Sequence, residues 1–151
     1  GHIVNIASVA GMLAVPGQAL YAGTKFAVVG LSTALADEFG PQGVEVSCVM
    51  PTFTNTELIS GTLTGGMTQP VQPEDIAAAV VRILEKPKTV VSVPYSLRFI
   101  AAATAFLPPR GRRWLSAKTG TARVFLDIDT AARAAYEKRA QSATGVLEGP
   151  E

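Results

Sequence analysis

Three side chains near the start of the chain have the types and the spacing needed to move a proton at an oxygen atom. Tyr21 and Lys25 lie four residues apart in a stretch with helical periodicity, so both project from one face of the predicted helix. An ammonium group beside a phenol stabilises the phenolate, and such a phenol exchanges a proton with an alcohol or a carbonyl oxygen. Ser8 ends a short β-branched run, where its hydroxyl could hold the same oxygen. The three residues are therefore a candidate acid–base site.

The elements that must position this site form a strand–helix–strand pattern within about fifty residues. The predicted strands are Ile3–Ala7 and Val44–Met50, the second of them ended by Pro51, and the predicted helix between them is Leu20–Phe39. This order predicts a right-handed βαβ unit with a parallel sheet. Ser8 would then lie at the carboxyl edge of the sheet, where open α/β folds bind their ligands.

The rest of the chain adds one more helix–strand pair and then changes character. The pattern predicts a loop over 52–72, then a helix from Pro73 to Glu85 and a strand over Thr89–Val93. An apolar helix is predicted over Tyr95–Leu107, and it ends at Pro108 and Pro109. A last helix is predicted over Asp129–Gln141, and a frayed tail follows it. We therefore divide the chain into a sheet-forming part, residues 1–94, and a helical C-terminal extension packed on it, residues 95–151.

Composition excludes several classes of function. The 151 residues have a formal net charge of +1, which points to no nucleic-acid partner. Cys48 is the one cysteine, so no intrachain disulfide forms, and a reducing, cytoplasmic location fits. His2 is the one histidine, and a metal site would need further ligands at suitable spacing, so we predict no metal. The longest apolar stretch found, Phe99–Leu107, is shorter than the roughly 20 residues that span a bilayer.

A basic and apolar segment, Arg98–Arg123, allows two interpretations. It would attach peripherally to an anionic membrane surface or form a lid over a lipophilic substrate. Alternatively, it is a helix packed on the core with a solvated basic rim.

Residues 1 to 94 resemble the classical short-chain dehydrogenase/reductase family. The resemblance rests on the strand Gly1–Ser8 that delivers the serine, on the thirteen positions from that serine to Tyr21, and on the Tyr-x-x-x-Lys box, in which Thr24 stands where Ser is more usual. The segment Val44–Pro51 is similar to the family's following strand. The resemblance implies part of a doubly wound, Rossmann-like α/β fold, and it implies hydride transfer between NAD or NADP and a carbonyl or secondary alcohol.

The resemblance also implies a role for each candidate residue. Tyr21 would be the general acid/base, and Lys25 would stabilise its phenolate and hydrogen-bond the nicotinamide ribose. Ser8 would orient the substrate oxygen. The substrate would be a small molecule, with lipophilic steroids, retinoids or fatty-acyl derivatives indicated by the apolar loop and tail, and the enzyme would be a homodimer or homotetramer.

Further cofactor contacts are implied after the second predicted strand. The family usually has Pro-Gly here, whereas this chain has Pro51 and Thr52, whose Cβ restricts the backbone. Thr54 matches the position whose backbone meets the cofactor carboxamide, and Thr56 matches a threonine close to the cofactor; the alternative is two ordinary loop threonines. The implied cofactor-binding set is Tyr21, Lys25, Pro51, Thr54 and Thr56.

The sequence contains no Gly-rich phosphate loop between a strand and a helix. Gly61, Gly65 and Gly66 lie in a Thr-rich stretch without that context. The family's Asn-Ala-Gly segment and tetrad Asn are also absent, and the family pattern places all these features upstream of residue 1. We therefore expect a C-terminal catalytic half that is inactive alone and lacks the residue that selects NAD or NADP.

A second hypothesis is a non-enzymatic interaction module. A half of an α/β domain exposes a sheet edge and apolar faces that proteins normally cover. Such a module would self-associate, most readily through the predicted helix Leu20–Phe39, which in the family contributes to a dimer interface. The two hypotheses differ in whether a cofactor-binding half precedes this one.

Overall fold

The computed structural model describes residues 1–56 and 70–121, and positions 124, 126 and 134. Its elements, in chain order, are β1 (His2–Ile6), α1 (Ala19–Phe39), β2 (Glu45–Pro51), α2 (Pro73–Glu85), β3 (Val90–Val93), α3 (Leu97–Ala105) and α4 (Pro109–Lys118). The strands form one parallel sheet in the order β1-β2-β3. The predicted α/β architecture is confirmed.

Helices cover both faces of the sheet, as in a doubly wound fold. Side chains of β2 alternate between the faces: Cys48 packs with Val28 of α1, whereas Val49 packs with Ile83 of α2. Since the three strands follow one another across the sheet, helices on opposite faces require connections of opposite hand. The sequence analysis predicted a right-handed connection only for the unit β1–α1–β2. A difference in hand between the two connections is unusual, because nearly all parallel connections are right-handed.

Cys48 lies in the centre of β2 and is fully buried. Burial raises the pKa of its thiol above the ordinary value, and the neighbouring Ser32 side chain, the Ala7 backbone and the charge of Lys25 offset part of this effect. The thiol therefore behaves as a small core side chain.

Helix α1 begins one residue before its predicted start and ends at the predicted residue. A hydrogen bond of 3.0 Å from Asn5 Nδ2 to Ser32 Oγ joins it to β1. With the short turn that follows, α1 forms a 24-residue stretch, Ala19–Gln42, in which an 18-residue window has a mean hydropathy of 1.3. This stretch is long and apolar enough to cross a membrane by length and composition alone. The sequence analysis missed it because it compared Phe99–Leu107 with that length.

Helix α2 occupies its predicted bounds because its first turn is well formed for a helix start. Pro73 stands at the first helical position, where its missing N–H costs no hydrogen bond. The backbone N–H of Gln72 donates to Asp75 Oδ2 at 3.0 Å, which satisfies a group at the helix start.

The C-terminal part departs from the prediction at two consecutive prolines. The predicted helix Tyr95–Leu107 is observed as the shorter α3, Leu97–Ala105. The prolines after it do not only end this helix, because they also begin the next one. Pro109 is the first residue of α4, a helix that the sequence analysis did not predict. The physical reason is that proline is excluded from helix interiors but suits the first turn, so one pair of prolines separates two helices.

Several predicted features lie outside the described residues. They are the middle of the loop 52–72, the helix Asp129–Gln141 apart from position 134, and the tail after it. Helix α3 contacts β3. The division into residues 1–94 and 95–151 stays a prediction.

Candidate functional site

The Ser8 hydroxyl lies where β1 and β2 both reach the carboxyl edge of the sheet. Ser8 has an extended backbone and precedes a short 3-10 turn, Val9–Gly11. Its Oγ accepts a hydrogen bond from the Ala10 N–H at 3.1 Å and lies 3.4 Å from the Pro51 carbonyl oxygen, to which it donates. These two contacts fix the hydroxyl at the edge where the sequence analysis expected a ligand to bind.

Tyr21 and Lys25 share one face of the first turns of α1, as their spacing predicted. The Lys25 ammonium nitrogen lies 5.5 Å from the centroid of the Tyr21 ring. Tyr21 is 41% exposed, so the residue is accessible from solvent. Within the described residues, Lys25 has no carboxylate partner within ion-pair distance, so its charge is available to the phenol and to a bound anion or hydroxyl.

Gly11 joins the serine turn to the tyrosine–lysine helix. Its Cα lies so close to α1 that a Cβ built there would be 2.7 Å from the Lys25 carbonyl oxygen and 2.9 Å from Val29 Cγ2. The Gly11 N–H also donates to the Ser8 carbonyl at 2.8 Å. The turn that carries Ser8 is therefore seated directly on the residue that ends the Tyr-x-x-x-Lys box.

The two threonines after β2 form hydrogen bonds within their own loop. Thr54 Oγ1 donates to the Thr52 carbonyl at 3.3 Å, and Thr56 Oγ1 donates to the Thr54 carbonyl at 3.4 Å. Thr54 also forms an isolated parallel bridge with Val71. No described hydrogen bond joins either hydroxyl to Ser8, Tyr21 or Lys25. The structure therefore unites Ser8 with Pro51 and Tyr21 with Lys25, and places the threonines in the adjoining loop.

The arrangement combines a fixed hydroxyl, a partly exposed phenol and an ammonium group near one edge of a parallel sheet. A hydroxyl both donates and accepts, a phenol gives or takes a proton, and an ammonium stabilises negative charge on the phenol. Such a set is suited to proton exchange at a substrate oxygen.

Sequence reasoning missed two contacts that hold the site together. Neither the close approach of Gly11 to α1 nor the Asn5–Ser32 hydrogen bond was anticipated. A glycine three residues after the serine is the signal that could have pointed to a close approach. His2 forms a hydrogen bond through Nε2 with Ser47 Oγ at 2.7 Å, between neighbouring strands of the sheet. Among the described residues, no cluster of potential metal ligands occurs.

Comparison with known proteins finds similarity to dehydrogenases. Residues 1–64 match the family model for short chain dehydrogenases. The chain is 34% identical over 113 residues to estradiol 17-beta-dehydrogenase 11 of Mus musculus, an alignment that covers 73% of this chain and 38% of that protein. The chain thus spans well under half the length of the curated relatives it matches.

Solved structures show the same relationship. The structure "4-hydroxyisoleucine dehydrogenase complexed with NADH" matches with a TM-score of 0.51 and 32% identity, over 61% of this chain and 44% of that one. A "short-chain dehydrogenase from Sphingobium yanoikuyae in complex with NADPH" matches with a TM-score of 0.58 and 28% identity, over 78% of this chain and 45% of that one. The likeness extends beyond the residues that the family model matches.

Proposed function

Because this chain is a member of the short-chain dehydrogenase family, we propose that it carries the catalytic residues of an NAD(P)-dependent oxidoreductase that interconverts a carbonyl and a secondary alcohol. The observation that carries the proposal is the pairing of Tyr21 with the Lys25 ammonium at 5.5 Å, on a helix seated against the turn that holds Ser8. The substrate of the whole protein, a small carbonyl or alcohol, and its self-association are part of the same proposal.

In the direction of reduction, the Tyr21 hydroxyl gives a proton to the carbonyl oxygen, and in oxidation the phenolate takes it from the alcohol. Lys25 holds a positive charge beside the ring and so stabilises the phenolate between these events. Ser8, fixed by Ala10 and Pro51, orients the oxygen and stabilises charge that develops on it. The nicotinamide cofactor, when bound, supplies or accepts the hydride.

The residues present fit the nicotinamide half of such a cofactor. The Lys25 ammonium, without a carboxylate partner in the described part of the chain, suits ribose hydroxyls. Pro51, Thr54 and Thr56 lie at or just after the end of β2 and offer backbone carbonyls and hydroxyl lone pairs to the carboxamide. The pyrophosphate needs a glycine-rich turn at a helix start, which this sequence does not contain. We therefore propose NAD or NADP as the cofactor. The residues of this chain do not indicate which of the two, with or without the 2′-phosphate, is bound.

The direct test is hydride transfer by the full-length protein that contains these residues. Reduced cofactor carrying deuterium at the transferable position is incubated with a panel of aldehydes and ketones, and products are analysed by mass spectrometry. The expected result is an alcohol with one deuterium on the carbinol carbon for at least one carbonyl. Cofactor oxidation without deuterium in any alcohol would contradict the proposed reaction.

The alternative, a non-enzymatic module, is favoured by one observation. Helix α1 exposes Leu20, Phe26 and Leu31 by 86, 46 and 57%, respectively, so it offers an apolar contact surface. Self-association as a homodimer or homotetramer fits both functions, so light scattering alone does not separate them. Catalytic hydride transfer separates them, because a module has none.

We also propose that the protein is cytoplasmic, acts on a lipophilic carbonyl or alcohol and meets a membrane at its periphery. Residues 86–126 contain eight of the thirteen Lys and Arg residues and none of the twelve Asp and Glu residues. Within this basic segment Phe99, Phe106 and Trp114 are 60, 90 and 64% exposed. Aromatic side chains beside cations suit the interface of an anionic bilayer.

This proposal predicts salt-sensitive binding to vesicles that contain phosphatidylserine. Replacing Arg110, Arg112 and Arg113 together by Gln should weaken binding roughly 100-fold, because each basic residue near an anionic surface contributes about 1 kcal/mol. Sedimentation with vesicles at several salt concentrations measures the effect. Arg112→Gln alone and Arg82→Gln on α2 each remove one charge, so the second is the charge-matched control for the first. Equal binding to neutral vesicles, or no sedimentation, would exclude the electrostatic contact.

A further inference from the structure

The serine turn packs tightly against helix α1 at Gly11. A Cβ at this residue would lie 2.7 Å from the Lys25 carbonyl oxygen, 2.9 Å from the carbonyl carbon and 2.9 Å from Val29 Cγ2. Two of these atoms belong to the backbone of a helix, which side-chain rotation does not relieve. Gly23 and Gly30, on the same helix, have no such atom within 4 Å.

The position of Gly11 is transmitted to Ser8 through a short hydrogen-bonded turn. The Gly11 N–H donates to the Ser8 carbonyl at 2.8 Å, and the Ala10 N–H donates to Ser8 Oγ at 3.1 Å. Moving a Cβ from 2.7 Å to ordinary contact at 3.4 Å requires a displacement of about 0.7 Å. The turn is also tied to Pro51 through Ser8 Oγ, so a shift on this scale would strain or break that contact.

A second contact keeps the helix from yielding instead. Asn5 of β1 donates to Ser32 Oγ at 3.0 Å, and Ser32 in turn donates to the Val28 carbonyl at 2.7 Å. Ser32 is fully buried, so loss of this bond would leave polar groups unsatisfied. Helix α1 is therefore anchored to the sheet beyond Lys25, and the serine turn is the part that must move.

We propose that Gly11 is a positioning residue, whose missing side chain sets the separation of the Ser8 hydroxyl from Tyr21 and Lys25. This inference rests on the proposed function, since it assigns Gly11 an effect on the same proton-exchange site. Gly11 touches no reacting atom; it acts through the serine turn.

The test is a double-mutant cycle in the full-length protein. Gly11→Ala should lower kcat by roughly 10- to 100-fold at saturating cofactor and substrate, because a misplacement near 1 Å costs up to about that factor. In a Ser8→Ala background, the same change should lower kcat by less than about threefold, because the positioned hydroxyl is already gone. A purely structural role would give the same factor in both backgrounds.

Gly23→Ala and Gly30→Ala are the matched controls and should keep near-normal kcat. Full loss of kcat in Ser8→Ala with normal kcat in Gly11→Ala would overturn the positioning role alone. Normal kcat in Ser8→Ala would overturn the role of Ser8, and the inference with it. If Gly11→Ala shows no cooperative urea transition, Val29→Leu, which enlarges the side chain at the same contact, replaces it in the cycle with the same expected non-additivity.

Discussion

Turnover of the full-length protein should fall by a factor on the order of 10² to 10⁴ when Tyr21 is replaced by Phe. The substitution removes one hydroxyl and keeps the ring beside which the Lys25 ammonium lies, at 5.5 Å from the centroid. The proton donor is lost, whereas the cation–ring contact and the packing of α1 persist. Affinity for NAD or NADP should therefore change little, and steady-state kinetics with a separate cofactor titration measure both effects.

Tyr95→Phe is the matched control for this experiment. Tyr95 is exposed to a similar extent, 47% against 41% for Tyr21, and it too has cations over its ring, Lys88 at 5.6 Å and Arg98 at 5.0 Å. Its hydroxyl accepts a hydrogen bond from Arg98 at 2.8 Å, so Tyr95→Phe removes a phenol hydroxyl that is engaged outside the candidate site. Near-normal turnover in Tyr21→Phe, or an equal loss in both variants, would show that the phenol of Tyr21 is not the acid/base.

The parts of the site that lie on regular elements were predictable from the sequence. Tyr21 and Lys25 are four residues apart on a long helix, and helical periodicity alone puts them on one face. Ser8 follows a short β-branched run, and a parallel strand delivers its last residue to the carboxyl edge. In both cases a local rule of helix or strand geometry fixes the position of the side chain, so no knowledge of tertiary packing was needed.

The contacts that bring those elements together were not predictable in the same way. Gly11 lies against Lys25 because the serine turn packs on helix α1. The periodicity of a sequence does not indicate which glycine will lie against a neighbouring segment. The difference in hand between the two connections is likewise a tertiary property: statistics favour right-handed connections, and the packing of Val49 against Ile83 shows that α2 lies on the face opposite α1. Pro109 as a helix start was missed because the pair Pro108–Pro109 was considered only as the end of the preceding helix, although Pro73 was recognised as a helix start.

Replacing Lys25 by Met should impair both chemistry and cofactor affinity. The variant keeps an unbranched apolar stem along the helix but removes the charge that stabilises the Tyr21 phenolate and the donors proposed for the ribose. Hydrogen bonds to charged groups contribute about 1.5–3 kcal/mol, which corresponds to roughly a 10- to 100-fold weaker Kd for the cofactor. Turnover should fall as well, so kcat and Kd move together, unlike in Tyr21→Phe.

The chain offers a geometric match for this lysine. Lys118 lies on α4 with its Nζ 5.4 Å from the ring of Trp114, the same cation–aromatic contact outside the candidate site. Lys118→Met should leave kcat and cofactor Kd near normal, because it removes a cation from a ring that takes no part in proton exchange. Lys25→Arg distinguishes charge from shape: guanidinium retains the charge but its planar fork replaces a compact ammonium. Full activity in Lys25→Met would contradict the assigned role. Near-normal cofactor affinity with low kcat in Lys25→Arg would show that the positive charge is sufficient for cofactor binding, whereas stabilisation of the phenolate needs the compact ammonium group.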